Sequence, residues 1–317
     1  MKLLPPVMAV ILAVGCTAGS STARHSSAPV ASRAPAYVTA RVTTGSKPCG
    51  ILGAGGKIWV SNLSDGNVVT IDPVTRALGR PVVVGSQPCG LAYGAGSIWV
   101  ENYGSDNVTR VDAATEKVIA TIGVGHQPYD VTFADGAAWV TDFADGTVSR
   151  IDPRRNKRTA TIAVDGSPVG VAHTPGAVWV PLQDKGEVAR ISTATNHVVA
   201  RIKAGDGAGW TAYTDKGVWV SNGSSGTVSR IDPATNRVVA TVKVGTGPLD
   251  GDVVDGRVWV PDSSGQLYWV DAASNAVHGP IPAMVGNPFV LAGYRGAIWY
   301  VDYAGTDVVR IDPSRAG

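Results

Sequence analysis

From residue 37 onward, apolar and polar positions alternate in runs of about five residues, without helical spacing. β-Branched residues fill the runs, and Gly, Asp, Asn and Pro separate them, which is the pattern of strands joined by tight turns. No segment sustains a helical period, so almost no helix is expected. Residues 85–124 show the unit: Cys89 to Tyr93 (strand A), Ile98 to Asn102 (strand B), Val108 to Asp112 (strand C) and Val118 to Val124 (strand D). The unit recurs. Trp59, Trp99, Trp139, Trp179, Trp219, Trp259 and Trp299 mark the middle of successive B strands, each 40 residues after the last. A fixed period of this length signals a repeat architecture. Four antiparallel strands per repeat, seven times over, specify an all-β fold, a seven-bladed β-propeller.

Ring closure is also written in the repeat. The last repeat supplies strands A, B and C through Asp312, whereas Val38, Ala40, Val42, Gly45 and Pro48 stand 200 residues before Val238, Ala240, Val242, Gly245 and Pro248. Residues 37–44 are therefore expected to complete the seventh blade as its outer strand, removing two unpaired faces. Alternation along strand B places each Trp against one neighbouring blade and its flanking aliphatics against the other. Burying a Trp removes ~150–250 Å² from water, at most about 4–6 kcal/mol. The repeated Arg-apolar-Asp runs (Arg110 to Asp112, Arg150 to Asp152, Arg230 to Asp232, Arg310 to Asp312) are read as structural. The Asp caps the C–D turn and the Arg stem covers the blade edge.

The ends change the picture of where this ring works. Residues 1–16 read as an export signal: Lys2, an apolar run from Leu3 to Val14, then Ala13-Val14-Gly15-Cys16. The run is too short for a permanent span. Its end is similar to the bacterial lipobox, in which the Cys is lipidated, although Ala13 stands where Leu is usual. Lipidation at Cys16 would make an outward-facing membrane lipoprotein, and ordinary cleavage nearby would make a secreted one. Residues 17–36, rich in Ser, Ala, Pro and Thr, read as a disordered tether, and residues 37–317 as the propeller, taken to be monomeric. A formal net charge of +2 with 16% charged residues points to neither nucleic acid nor anionic membrane.

Candidate chemistry lies where the repeats break their own rule. In a propeller the D–A and B–C connections form one face around the channel, here called upper. Two places after the repeat Pro stand Gly50, Gly90 and Gly170, but also Asp130, Trp210, Asp250 and Val290; one place after it stand Tyr129, Leu249 and Phe289. Strand B ends in Asn62, Asn102, Asp142, Asn222, Asp262 and Asp302, followed in three blades by Tyr103, Phe143 and Tyr303. Aromatic surface with convergent carboxylates suits a pocket for a small molecule, peptide or glycan. The candidate ligand-binding residues are Tyr129, Asp130, Trp210, Asp250, Phe289, Tyr103, Asp142, Asp262 and Asp302. Competing with that reading, the Asn/Asp set would satisfy turn backbones, and Trp210 would plug the channel. Asp130, Asp142 and Asp250 could instead hold a cation such as Ca²⁺, but no tight ligand spacing supports it. No cofactor is called for.

Cys49 and Cys89, also 40 apart, occupy equivalent positions in adjacent blades. At a mouth radius of ~7 Å their Cα atoms would lie ~6 Å apart, within disulfide range. An exported protein permits the bond. Two buried thiols are the alternative, and a catalytic thiol has no evident His partner.

The phrases Val140-Thr141-Asp142, Val148-Ser149-Arg150-Ile151-Asp152 and Val238 to Gly245 resemble the YVTN-repeat propeller family. Here Trp replaces Tyr in the strand B motif, as in Trp59-Val60-Ser61-Asn62 and Trp219-Val220-Ser221-Asn222, a form also similar to the virginiamycin B lyase family. The resemblance spans residues 37–312, but its motifs specify blades. The lyase resemblance implies metal-assisted elimination with a metal-held carboxylate and a His base on the upper face. The only Glu are Glu101, Glu116 and Glu187, the last two in turns. Of the histidines beyond residue 37, His173 and His197 fall near the lower face, His278 near the start of a D strand, and His126 alone on the upper rim. No His/Glu set carries over. The YVTN resemblance also implies DNA binding in some members, which the near-neutral charge disfavours.

Overall fold

The computed structural model describes residues 35–281 and 286–316; the export signal, Cys16 and nearly all of the proposed tether lie outside them. Within the described residues, each repeat forms one four-stranded antiparallel sheet, and seven such sheets are present. Blade 3 is representative: Pro128–Ala134 (A), Ala137–Asp142 (B), Thr147–Asp152 (C) and Lys157–Ala163 (D) pair in chain order. Every A strand packs on the next, and that of blade 7 returns to that of blade 1, closing a ring around a central channel. One 3₁₀ turn, Pro313–Arg315, follows the last strand.

The closing blade is assembled from both ends of the described chain. Pro288–Tyr294, Ala297–Asp302 and Asp307–Ile311 form its inner three strands, and Val38–Thr43 pairs outside them, from Val38 opposite Ile311 to Thr43 opposite Asp307. Side chains reinforce the seam: Arg310 Nη1 donates to Thr39 Oγ1 at 2.6 Å, and Arg41 pairs with Asp307 at 2.9 Å. The outer strand expected at residues 37–44 is thus in place.

Packing between blades follows the strand B alternation. All seven periodic tryptophans are fully buried. Trp139 packs with Val178 and Val180 of blade 4, Trp179 with Val218 and Val220 of blade 5, and Trp219 with Val258 and Val260 of blade 6. The strand C arginines do more than cover an edge. Arg110, Arg190 and Arg230 lie 5.1, 5.1 and 5.6 Å from the Trp ring centroids of their own blades. Arg110 and Arg190 then reach the next blade, donating to Asn156 and Asn236 at 2.8 Å. Cation–π contact and an inter-blade hydrogen bond are combined in one side chain. The strand C aspartates cap the C–D turns, as Asp112 does by accepting from the amides of Ala114 and Thr115. Cys49 and Cys89 are joined by a disulfide with Cα atoms 5.0 Å apart, clamping blade 1 to blade 2.

Candidate functional site

The upper face is built by a hydrogen bond repeated around the ring. The amide after each strand B donates to a carbonyl of the D–A loop: Tyr103 to Gln87, Phe143 to Gln127, Gly223 to Gly207 and Tyr303 to Asn287. In blades 2, 3, 6 and 7 the Asn or Asp at the end of strand B completes this join with its side chain. Asn102 accepts from the Gly85 amide and donates to Asn107 and Thr109. Asp142 accepts from the Gly125 amide and the Thr147 and Ser149 hydroxyls, and burial raises its carboxyl to about 6.

Asp262 receives the amides of Thr246, Gly247 and Ser264. Burial pushes its carboxyl up, but these bonds and the Ser264 hydroxyl outweigh it and hold the group below the ordinary carboxylate range. Asp302 accepts from the Asn287 amide. Asp142 and Asp262 are fully buried and Asp302 nearly so. Asp142 and Asp262, candidates by sequence, spend their hydrogen bonds joining loop to turn, and Asp302 makes the same join through the Asn287 amide.

The strand A entrances around the channel differ. A Cβ on Gly50 would lie 2.0 Å from the Cys89 carbonyl oxygen, and one on Gly90 would lie 2.7 Å from Asp130 Oδ1. Glycine is required there because the next blade approaches so closely. Asp130 in blade 3 accepts from Val131 at 2.8 Å and, across to blade 4, from Val171 at 2.9 Å. In blade 6 the corresponding strap is made two residues later by Asp252, which accepts from Val253 and from Gly293 of blade 7. That leaves Asp250 uncommitted: no described residue donates a hydrogen bond to its carboxylate, and only its backbone carbonyl is used, by the Leu291 amide.

Burial raises Asp250 to about 7. It also raises Asp130 to about 7, with the charge of Asp250 adding to the effect against the two amide bonds. Both keep part of their surface open. Tyr129 joins them. Burial pushes its hydroxyl well above the usual range, followed by the charges of Asp250, Asp130 and Glu101 and by Tyr303. The Tyr129 ring lies 6.0 Å from Phe143, and Phe289 sits 4.7 Å from Tyr303.

The other aromatic candidates are set back. Phe289 and Tyr303 are almost wholly buried. So is Tyr103, whose hydroxyl is pushed up to about 12 by burial and then by Glu101 and Asp106. Trp210 is half-buried in the seam between blades 5 and 6, packed on the cluster around Val258 and Val260. Its Cη2 lies 3.3 Å from the point a Cβ on Gly251 would occupy, so that glycine makes room for the indole.

Glu101 was not singled out from the sequence, although it sits at the centre of this group. Its Oε1 accepts from the Gly90 amide at 2.8 Å, its Oε2 has no partner, and the side chain is fully buried. Burial pushes its carboxyl well up, and Asp130 adds to that. The available signal was the repeat itself, because Ser61, Thr141 and Ser221 hold the same position in blades 1, 3 and 5.

No group of three or more His, Cys, Asp or Glu among the described residues is arranged to hold a metal ion. Asp142 is committed to its loop, so the trio suggested for a cation is not assembled. His126 bonds Asp145 on the rim, with Nδ1 2.8 Å from Oδ1, while His173 meets Thr132 and His278 stacks on Trp269.

The architecture makes this chain a seven-bladed β-propeller. Solved structures of similar shape include hydrazine synthase from Kuenenia stuttgartiensis, at TM-score 0.75 and 18% identity over 84% of this chain and 96% of that one. Another is virginiamycin B lyase from Staphylococcus aureus, at TM-score 0.75 and 14% identity over 86% and 98%. A catalytically inactive variant of that lyase, solved with quinupristin, matches at TM-score 0.75 and 13% identity over the same shares. No family model and no curated protein matches the chain by sequence. At these identities the likeness is one of fold.

Proposed function

We propose that this protein is an exported binding module whose ligand, a small molecule, peptide or glycan, is taken at the upper mouth of the channel. The observation carrying the reading is the convergence of Tyr129 with Asp130 and Asp250, the two aspartates standing at a strand A position that blades 1, 2 and 4 keep as glycine. Carboxylates set against aromatic surface supply orientation and contact area together. Ligand-detected NMR on the full chain, with quinupristin, chitotriose and the tripeptide Ala-Lys-Ala as probes, tests it. At least one probe is expected to bind and to be lost in Tyr129→Ala and Asp250→Ala. Binding of none, or binding unchanged in both variants, refutes the proposal.

The run ending at Cys16 supports export and a lipid anchor for this module. Cys16→Ser is then expected to move the protein from the membrane fraction to the medium, and retention on the membrane would refute the anchor. A metal-assisted lyase is the second reading, favoured by the shared fold with virginiamycin B lyase. It requires depsipeptide opening that a chelator abolishes.

A further inference from the structure

We infer that the ligand presents an organic ammonium group, received between the Asp250 carboxylate and the Tyr129 ring; this rests on the binding role proposed above. Asp130 and Asp250 occupy the same repeat position in blades 3 and 6, which stand almost opposite each other in a ring of seven. Equivalent strand A positions of adjacent blades lie close together, the Cα atoms of Cys49 and Cys89 being 5.0 Å apart, so the same position three blades away stands little more than twice that distance across the mouth. In keeping with that narrow spacing, the charge of Asp250 acts on both Tyr129 and Asp130.

Negative charge there is uncompensated. Among the described residues, no Lys, Arg or His forms an ion pair with Glu101, Asp130 or Asp250. Buried carboxylates ordinarily have a partner. Glu101 supplies no donor to offset it: its own Oε2 is buried without a partner, and its side chain converges with Asp130 on one side of Gly90. A cation arriving from outside would supply what the fold does not.

The surroundings select an ammonium over a metal ion. Ca²⁺ requires six to eight oxygen ligands, whereas Asp130 already receives two backbone amides and only Asp250 is free. Tyr129 brings an aromatic ring to the same mouth, with the Phe143 ring 6.0 Å from it. An aromatic face beside a carboxylate attracts an alkylammonium through cation–π and charge together.

Isothermal titration of the full chain at pH 8 separates the outcomes. The probes are choline and its uncharged carbon isostere, Nα-acetyl-lysine amide and its norleucine analogue, and calcium chloride. At least one ammonium probe is expected to bind about tenfold or more tighter than its uncharged partner. Asp250→Asn and, independently, Tyr129→Leu are expected to weaken it by about tenfold, with the fold retained by circular dichroism. Which ammonium prevails tells a quaternary ligand from a lysine-like one. Equal binding of the uncharged partners, or competition by calcium at lower concentration than either ammonium, overturns this inference while leaving the mouth a binding site. Binding of no probe, including those named for the proposed function, overturns both.

Discussion

The Gly90 amide donates to Oε1 of Glu101 at 2.8 Å, closing a contact that the hydroxyls of Ser61 and Thr141 close in the blades on either side. Those hydroxyls also donate onward, Ser61 to the Cys89 carbonyl at 2.7 Å and Thr141 to the Val169 carbonyl at 2.6 Å, strapping each blade to the next. An ionised Glu101 has no proton to give. Its second oxygen is buried without a partner, so the position favours the neutral acid.

Glu101→Gln keeps the shape and supplies a permanent donor. The folded-state carboxyl lies well above its ordinary value, so ionisation opposes folding increasingly as pH rises past that value. The variant is expected to be about 1–3 kcal/mol more stable than the parent at pH 8 and indistinguishable from it near pH 4. Urea denaturation at both pH values checks this; equal stability at pH 8 would show that Glu101 is comfortably satisfied.

The same sign applies to the channel aspartates. With folded values of about 7 against an ordinary 3.8, Asp130 and Asp250 bind more protons folded than unfolded throughout that window. Stability should therefore fall as pH rises from about 4 to about 7, by on the order of 5–7 kcal/mol for the two together, with Asp142 contributing below about 6. Burial of His173 lowers its value and partly opposes the trend. The Asp130→Asn, Asp250→Asn double variant should make the profile shallower, leaving the contributions of Glu101, Asp142 and Asp252. A profile rising over this range in the parent protein would contradict the assignment.

Blades 1 and 2 are the only pair with a covalent clamp among the described residues, and its loop spans 40 residues. Loop-closure entropy for that length corresponds to about 4 kcal/mol. Replacing both cysteines with serine is expected to lower stability by about 2–4 kcal/mol, and adding reductant to the parent protein should do the same. A melting temperature insensitive to both would mean that packing alone sets this seam.

Much of this molecule is legible in the chain, because a propeller repeats its instructions. Trp99 and Trp139 announce their blades, and Val38 to Val42 match Val238 to Val242 closely enough to fix the closing strand before any coordinates. The site is less legible, for a physical reason. Asp142 and Asp262 look like ligands in sequence, yet each carboxylate collects backbone amides from a loop some 16 or 17 residues away in the chain. Asp130 and Asp250 share one repeat position, yet the Val131 and Val171 amides go to the first, while in blade 6 the corresponding amides go to Asp252. Glu101 was readable only as the one ionisable residue in a column of Ser, Thr, Pro and Val.

Trp210 separates a packing role from a binding one. Its amide donates to Ser221 Oγ at 3.0 Å, while its indole fills the space over Gly251 and packs on the cluster of Val258 and Val260. By sequence Trp210 is a ligand contact or a channel plug. The seam position gives it a packing role between blades 5 and 6. Trp210→Ala opens a cavity in a partly buried interface and is expected to cost about 2–3 kcal/mol, below the range for a fully enclosed Trp. Trp210→Phe, which retains an aromatic ring over Gly251, should recover at least half of that loss. Tyr129→Leu touches no such seam and should leave the melting temperature within about 2 °C of the parent. Thermal unfolding of the three variants decides the matter. A Trp210→Ala protein as stable as the parent would return the indole to the channel and to the list of ligand contacts.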